Sequence, residues 1–318
     1  MPAPSLGKVV VVGVGLIGGS FALALKAAAA VATVVGVGRS ASNLSSARQL
    51  GIADRTWTQD QRWTDELIDA DLVLLATPVG QIPALLALIA PALGAATVVT
   101  DAGSTKQDVI AAGRRHLGAA LPRFVPGHPL AGTERSGAAA ARFVPGHPLA
   151  GTERSGAAAA SDALFRDRTV ILTPLAETSA EAQKRVADAW TACGGVVGTL
   201  EAARHDEIFA AVSHLPHALA FALVAQLAAR ADALDYFRYA ATGFRDFTRL
   251  ASSDPEMWRD VCLGNATALR RELSAYRAEL DRLDALLVSA DGDGLIALFE
   301  RARVARNAWL AHHRDAND

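Results

Sequence analysis

Val9-Val10-Val11-Val12-Gly13-Val14-Gly15-Leu16-Ile17-Gly18-Gly19-Ser20 is the stretch that decides how this chain folds. A β-branched run of strand length enters three glycines spaced G-x-G-x-x-G; the helix-forming stretch Phe21 to Ala30 and a second strand-like run, Thr33 to Val37, follow. In that setting each glycine has a task. The first permits a tight turn, the second lets backbone approach a pyrophosphate, and the third lets the helix pack closely on the strand. The helix N-terminus adds free N–H groups and a partial positive charge. Gly13, Gly15, Leu16, Ile17 and Gly18 are therefore expected to hold a dinucleotide.

Leu72 to Ala76 and Thr97 to Thr100 are further apolar runs, separated by Ala- and Leu-rich segments long enough to cross over a sheet. This is the βαβ rhythm of a parallel sheet with helices on both faces. A strand at Thr169 to Leu172, a helix near Ala180 to Thr191 and a short strand near Val196 to Leu200 complete the first part. After Glu201 glycine thins out and helical periodicity takes over, as in Leu273, Tyr276, Leu280, Leu283 and Leu287. The expected architecture is α/β: an N-terminal Rossmann-type doubly wound sheet over residues 6–200, then an all-helical C-terminal domain over 201–318. Apolar stripes on those helices need a cover, which predicts a homodimer through the helical domain.

Composition narrows the function classes. The 318 residues are 51% hydrophobic and 20% charged, with 31 Lys+Arg against 33 Asp+Glu and a net charge of −2. No block of like charge marks a nucleic-acid or anionic-membrane partner. Apolar stretches such as Phe209 to Val212 and Phe221 to Ala229 are interrupted by His, Pro or Gln, short of the ~20 residues a membrane span needs. Cys193 and Cys262 are too few for a disulfide framework, and Met1 to Lys8 lacks the layout of a signal peptide, so the expected location is cytoplasmic. His214 and His217 are spaced i, i+3, but with no third ligand evident and Pro216 between them no metal site is expected.

The ends of the strands supply the rest of the expected pocket, because such sheets bind ligands at their carboxyl edge. The second strand ends in Gly38-Arg39-Ser40, with no carboxylate for a ribose 2′-hydroxyl. Arg39 and Ser40 either receive a 2′-phosphate, favouring NADP over NAD, or are solvated beside a cofactor bound without preference. Thr77 and Pro78 close the third run, and Asp101-Ala102-Gly103-Ser104-Thr105-Lys106 follows the fourth. Ser104 either caps a helix beginning near Thr105 or reaches the nicotinamide.

Arg123 to Ala141 (RFVPGHPLAGTERSGAAAA) is repeated letter for letter as Arg142 to Ala160. Two identical copies are not a solenoid, which stacks at least three units. The duplication is an insertion in an ordinary fold or an error in the sequence. Only one copy can occupy one position in the sheet. Tolerance of an insertion away from the ligand edge favours the second copy in the sheet, whereas the first keeps the direct link from the helix ending near Leu117.

Taken together, Gly13 to Gly18, DAGSTK at Asp101 to Lys106, GHPLAGTERSG (twice), HDEIFAAVSHLPH at His205 to His217 and GFRDFTRLASSDPEMW at Gly243 to Trp258 resemble the prephenate and arogenate dehydrogenases of tyrosine biosynthesis. The resemblance implies oxidative decarboxylation of prephenate or arogenate, with hydride passing to NAD or NADP. It further implies a base in the HP-x-AG motif, His128 or His147, with His147 favoured by the insertion argument, and Ser104 as its partner. Arg249 would hold the ring carboxylate, with Arg245 and Asp246 ordering that segment; Thr152 and Glu153, or Thr133 and Glu134 in the first copy, would flank the substrate. His214 and His217 are expected to line the cleft. Two other readings stand beside this one. A different reductase with a helical second half, such as a β-hydroxyacid dehydrogenase or pyrroline-carboxylate reductase, shares the Rossmann half, and a non-catalytic NAD(P)-binding protein would result if the duplication disabled the pocket.

Overall fold

Alternate residues of the central strands feed two cores. Val9, Val11, Leu72 and Leu74 point into one, and Val10, Val12, Val73 and Leu75 into the other, the two-residue period of strands covered on both faces. The computed structural model describes residues 4–131 and 156–315. Six parallel strands, β1 (Leu6–Val12), β2 (Val31–Gly38), β3 (Arg55–Thr58), β4 (Leu72–Leu75), β5 (Val98–Asp101) and β6 (Phe124–Val125), lie in the order β3-β2-β1-β4-β5-β6. This is the doubly wound sheet that the sequence predicts. Strand β3 was not foreseen: Arg-Thr-Trp-Thr carries one large apolar side chain, so an edge strand of this kind has no periodic signal.

On one face α1 (Leu16–Ala27) meets α5 (Ala180–Ala192), where the Trp190 ring lies 4.6 Å from Phe21 and 5.1 Å from Phe165. On the other, α3 (Ile82–Ile89) and α4 (Gln107–His116) bury Ile82, Leu86, Ile89 and Val109. The helix α2 (Ala41–Gln49) lies between β2 and β3 in the chain. After β6 the chain continues into β7 (Gly127–Pro129), which leaves the main sheet and pairs antiparallel with β8 (Thr169–Leu172); β8 pairs in parallel with β9 (Val196–Thr199). The strands expected at 169–172 and 196–200 thus form a second, three-stranded sheet.

Copy one of the repeat supplies β6 and β7. Arg123, its first residue, is anchored by hydrogen bonds from its guanidinium to the carbonyls of Thr97 and Gly94, at the end of a short 3-10 turn, Gly118–Arg123, that leads straight from α4. Of the second copy, only Gly156 to Ala160 falls among the described residues; Gly156 has φ +76° and the Ala157 N–H bonds the Asn43 side chain. The expectation that the second copy fills the strand is therefore corrected. The direct connection from α4 seats the first copy, and the surplus falls in sequence between β7 and Gly156, outside the described residues.

Beyond β9, α6 (Ala202–Phe209), a π segment (Ala210–His214) and α7 (Leu215–Ala228) make one unbroken helical run. By length and apolar composition that run suffices to cross a membrane, yet it carries the buried polar residues His205, Asp206 and His214. Helices α8 (Ala233–Arg238), α9 (Thr242–Thr248) and α10 (Pro255–Gly264) follow. Trp258 and Val261 of α10 join the core that holds Val79 and Ile82. Compactness divides the chain at Ala266, because α6 packs on α4 and α10 packs on the turn after β4. The second unit, Thr267–Asp318, consists of α11 (Ala266–Val288) and α12 (Gly292–Asp315) joined through Ala290 at φ +52°. It exposes Leu287, Val288, Ile296, Phe299 and Trp309.

Candidate active site

The sheet order places the ends of β1, β4 and β5 side by side. Gly13, beyond β1, has φ +101°, and a Cβ there would lie 2.3 Å from the Ala76 carbonyl oxygen beyond β4. A Cβ on Gly18 would meet the Gly13 oxygen at 2.2 Å, whereas one on Gly15 would have no described atom within 4 Å. So the first and third glycines are demanded by packing, and the second faces the open space a pyrophosphate needs. Helix α1 starts at Leu16 with Gly15 as N-cap and no side-chain cap among the described residues, which leaves the first-turn N–H groups of Leu16 and Ile17 to a ligand. These residues fit a dinucleotide.

Arg39 is exposed beyond β2, and Ser40 caps α2 by accepting the Asn43 N–H at 3.2 Å. Thr77 and Pro78 follow β4, and Thr77 Oγ1 is buried without a partner among the described residues. Asp101 differs from expectation. It is fully buried, with Oδ2 2.5 Å from the Lys106 ammonium and 2.7 Å from the Gly103 N–H, and Oδ1 3.2 Å from the Gly127 N–H. A carboxylate so committed has no reach to a cofactor. Ser104 is half-buried and caps nothing, since α4 begins at Gln107; the cap comes from Asp206 of α6, whose Oδ1 and Oδ2 accept the Lys106 and Gln107 N–H groups at 2.9 Å each.

His128 sits in the middle of β7, just past the end of β5. Its Nδ1 is 2.9 Å from His205 Nε2, and His205 Nδ1 is 2.8 Å from Asp206 Oδ1. The direction of these bonds follows from chemistry. Burial alone would raise the Asp206 carboxyl, but hydrogen bonds from His205, Gln107 and Lys106 outweigh it and hold the group below its ordinary value. An ionised carboxylate only accepts, so His205 Nδ1–H donates to it; His205 Nε2 then accepts from His128 Nδ1–H, and His128 Nε2 keeps its lone pair. Phe209 packs on both imidazoles, at 4.8 and 4.5 Å between ring centres. Burial first, and then His205, Lys106 and His214, hold His128 well below the usual imidazole range.

The π segment decides what else joins this group. In an uninterrupted α-helix Asp206 and His214 would stand about 80° apart around the axis, and a π turn that absorbs one residue brings them to within about 20°. Asn265 confirms the juxtaposition: its Nδ2 donates to the Asp206 carbonyl at 2.7 Å and to His214 Nδ1 at 3.2 Å. With Nδ1 accepting, neutral His214 carries its proton on Nε2, which is buried and has no acceptor among the described residues. Trp258 Nε1 is in the same condition, its ring 6.1 Å from His214 and stacked on His217 at 3.6 Å. His217 is half-buried and donates from Nδ1 to the Ser213 carbonyl.

The structure thus brings His128, His214 and His217 toward one region. Arg249 opens an exposed 3-10 turn after α9, and that turn packs against α7, the helix that carries His217. Arg245 and Asp246 are exposed and paired with each other at 3.5 Å. His147, Thr152 and Glu153 lie outside the described residues, as do Thr133 and Glu134. Missed in sequence were the roles of His205 and Asp206, although they stand adjacent in the HDEIF motif, and of Lys106 and Asn265; nothing in the spacing of Asn265 signals its bridge. Among the described residues no group of three or more His, Cys, Asp or Glu side chains is arranged to hold a metal.

A glycine cradle at one end of this edge and a carboxylate-oriented histidine pair at the other define a Rossmann-type dehydrogenase. The family model for the prephenate dehydrogenase nucleotide-binding domain matches residues 21–142 and 140–199, and that for the prephenate dehydrogenase dimerization domain matches 201–301. The chain belongs to the prephenate dehydrogenase family. The nucleotide-binding match breaks in two where the second copy of the repeat begins. A cyclohexadienyl dehydrogenase of Zymomonas mobilis is 36% identical over 309 residues, 96% of this chain and 97% of the relative. The structure of prephenate dehydrogenase from A. aeolicus in complex with hydroxyphenyl propionate and NAD+ has a TM-score of 0.84 at 33% identity, over 96% of this chain and 99% of that one. Synechocystis arogenate dehydrogenase has a TM-score of 0.73 at 28% identity, over 95% and 99%. Family membership displaces the reading as an unrelated reductase.

Proposed function

We propose that the chain catalyses oxidative decarboxylation of prephenate or arogenate with NAD or NADP as hydride acceptor, and that His128 is the base. The observation that carries this reading is the chain His128–His205–Asp206 at the carboxyl edge. Gly13, Gly15, Leu16, Ile17 and Gly18 hold the dinucleotide, which when bound accepts hydride from the ring carbon that bears the hydroxyl. His128 Nε2 takes the hydroxyl proton; Asp206, through His205, fixes the tautomer that makes this possible. Loss of the ring carboxylate as CO2 then yields an aromatic ring, so the protein supplies positioning, proton removal and charge. His214 Nε2–H and Trp258 Nε1–H are donors for oxygen functions of the substrate, since each is buried without an acceptor among the described residues.

The same reading makes the enzyme a cytoplasmic homodimer. Its support is the exposed apolar surface of the helical segments, with Val212, Leu234, Leu263 and Phe299 among the exposed side chains, in a region matched by a dimerization-domain model. Incubation with prephenate and then arogenate, each with NAD and NADP, tests the function through the appearance of reduced cofactor. Turnover of at least one pair is expected. Cofactor binding without turnover of any pair would leave the reading as a non-catalytic NAD(P)-binding protein.

A further inference from the structure

We infer that Lys106 is a positioning residue for the base, one that joins the strand carrying His128 to the carboxylate that orients its partner. This inference rests on the reading of His128 as the base. The Lys106 ammonium is fully buried, 2.5 Å from Asp101 Oδ2 and 2.8 Å from the carbonyl oxygen of Gly127, the residue before His128. Asp101 completes the clasp by accepting the Gly127 N–H through Oδ1. Both backbone polar groups of Gly127 are therefore spoken for, its carbonyl by the cation and its N–H by the anion of one ion pair. The backbone N–H of Lys106 itself donates to Asp206 Oδ1, the same oxygen that receives His205 Nδ1–H. One residue thus fixes where the His128 strand starts and where the His205 ring points.

An ion pair fully withdrawn from water adds little net stability, because desolvation offsets attraction. Its use here is geometric and electrostatic. Among the described residues, the charged and titratable groups around His128 are His205 and Asp206 from α6, His214 from the π segment, and Lys106 with Asp101 from the connection between β5 and α4. Lys106 is the fixed cation of that set, and it opposes a second positive charge on the imidazole. It adds to burial and to His205, the larger causes, in keeping the base free of a proton while it waits for substrate.

The test uses the full-length protein and two variants, Lys106→Met and the doubly neutral Asp101→Asn/Lys106→Met; the second avoids leaving Asp101 buried and unpaired if the first fails to fold. Two readouts are taken: the pH profile of kcat/KM, and an NMR titration of His128 in cofactor-free protein, its resonance identified by its loss in His128→Ala. Removal of the cation is expected to lower kcat/KM about tenfold or more at pH 6 and less at pH 8, and to move the His128 midpoint upward. Cofactor affinity should stay unchanged. A wild-type kcat/KM profile in the double variant, or an unshifted His128 midpoint in a folded Lys106→Met, would overturn the inference. Absence of turnover in the wild-type protein would instead overturn the reading of the function, and the titration would still report on Lys106.

Discussion

Asp206 of α6 caps α4 across 100 residues of sequence, its carboxylate accepting the Lys106 N–H at 2.9 Å. The same carboxylate takes the Gln107 N–H and the His205 ring. Capping and base orientation are therefore a single arrangement, and a change to one disturbs the other.

Asp206→Ala is expected to destabilise the protein by about 2 kcal/mol, the loss of a cap together with buried N–H groups left unsatisfied. Asp206→Asn keeps acceptor capacity for one N–H but no longer holds His205 in its tautomer. It should lower kcat about a hundredfold with a much smaller change in melting temperature. Calorimetry and steady-state kinetics on the pair of variants check this; equal loss of melting temperature and of rate in both would show that Asp206 only caps.

Stability should fall on acidification in two stages. Burial pushes His214 down to about 4, against the raising effect of Asp206, and pushes His128 down as well. These rings stay neutral in the native state while the unfolded chain takes up protons below about pH 6.5, so stability falls as the pH drops through that value. The His214 share reaches about 3 kcal/mol by pH 4. Asp206 acts lower: its folded value is depressed below 3.8, so its contribution is complete above that pH and is lost as pH falls through the depressed value. Urea midpoints between pH 8 and 4 measure the first stage, and His214→Gln should flatten it.

Strands β1, β2, β4 and β5 were legible because their residues are apolar on both faces, and the glycine turn because two of its glycines have no sterically allowed substitute. The histidine chain was not, since His205 and Asp206 acquire meaning only once α6 packs over α4. Asp101 misled for a related reason. A carboxylate at a strand end suggests a cofactor ligand, and its true partner, Lys106, is brought back onto it by a turn that no periodicity reveals. The π segment is equally silent in sequence: Ala-Ala-Val-Ser-His has nothing that distinguishes it from α-helix.

Deleting residues 132–150 removes one copy of the repeat and leaves every described residue on either side of the cut intact, apart from the shared choice of join. The connection between Ala131 and Gly156 shrinks from 24 residues to five, which lowers its closure entropy by about 1 kcal/mol. The shortened protein should melt a few degrees higher by about the usual conversion and keep its turnover. No gain in melting temperature, or loss of activity, would mean that the surplus supports the site.

Arg39→Ala should weaken NADP binding about tenfold while leaving NAD unchanged, because a guanidinium exposed at the end of β2 suits a 2′-phosphate. Titration of both cofactors by fluorescence distinguishes the cases. An equal effect on the two would make Arg39 a solvated residue without a part in selection.

The most direct measurement is turnover by His128→Ala and His147→Ala side by side, on whichever of prephenate or arogenate the wild-type protein oxidises. Loss of the base should lower kcat by about 10² to 10⁴ in His128→Ala, with cofactor binding retained, and His147→Ala should stay within a few-fold of wild type. The opposite pattern, a collapse of turnover in His147→Ala with His128→Ala active, would contradict the assignment of the base to the first copy of the repeat.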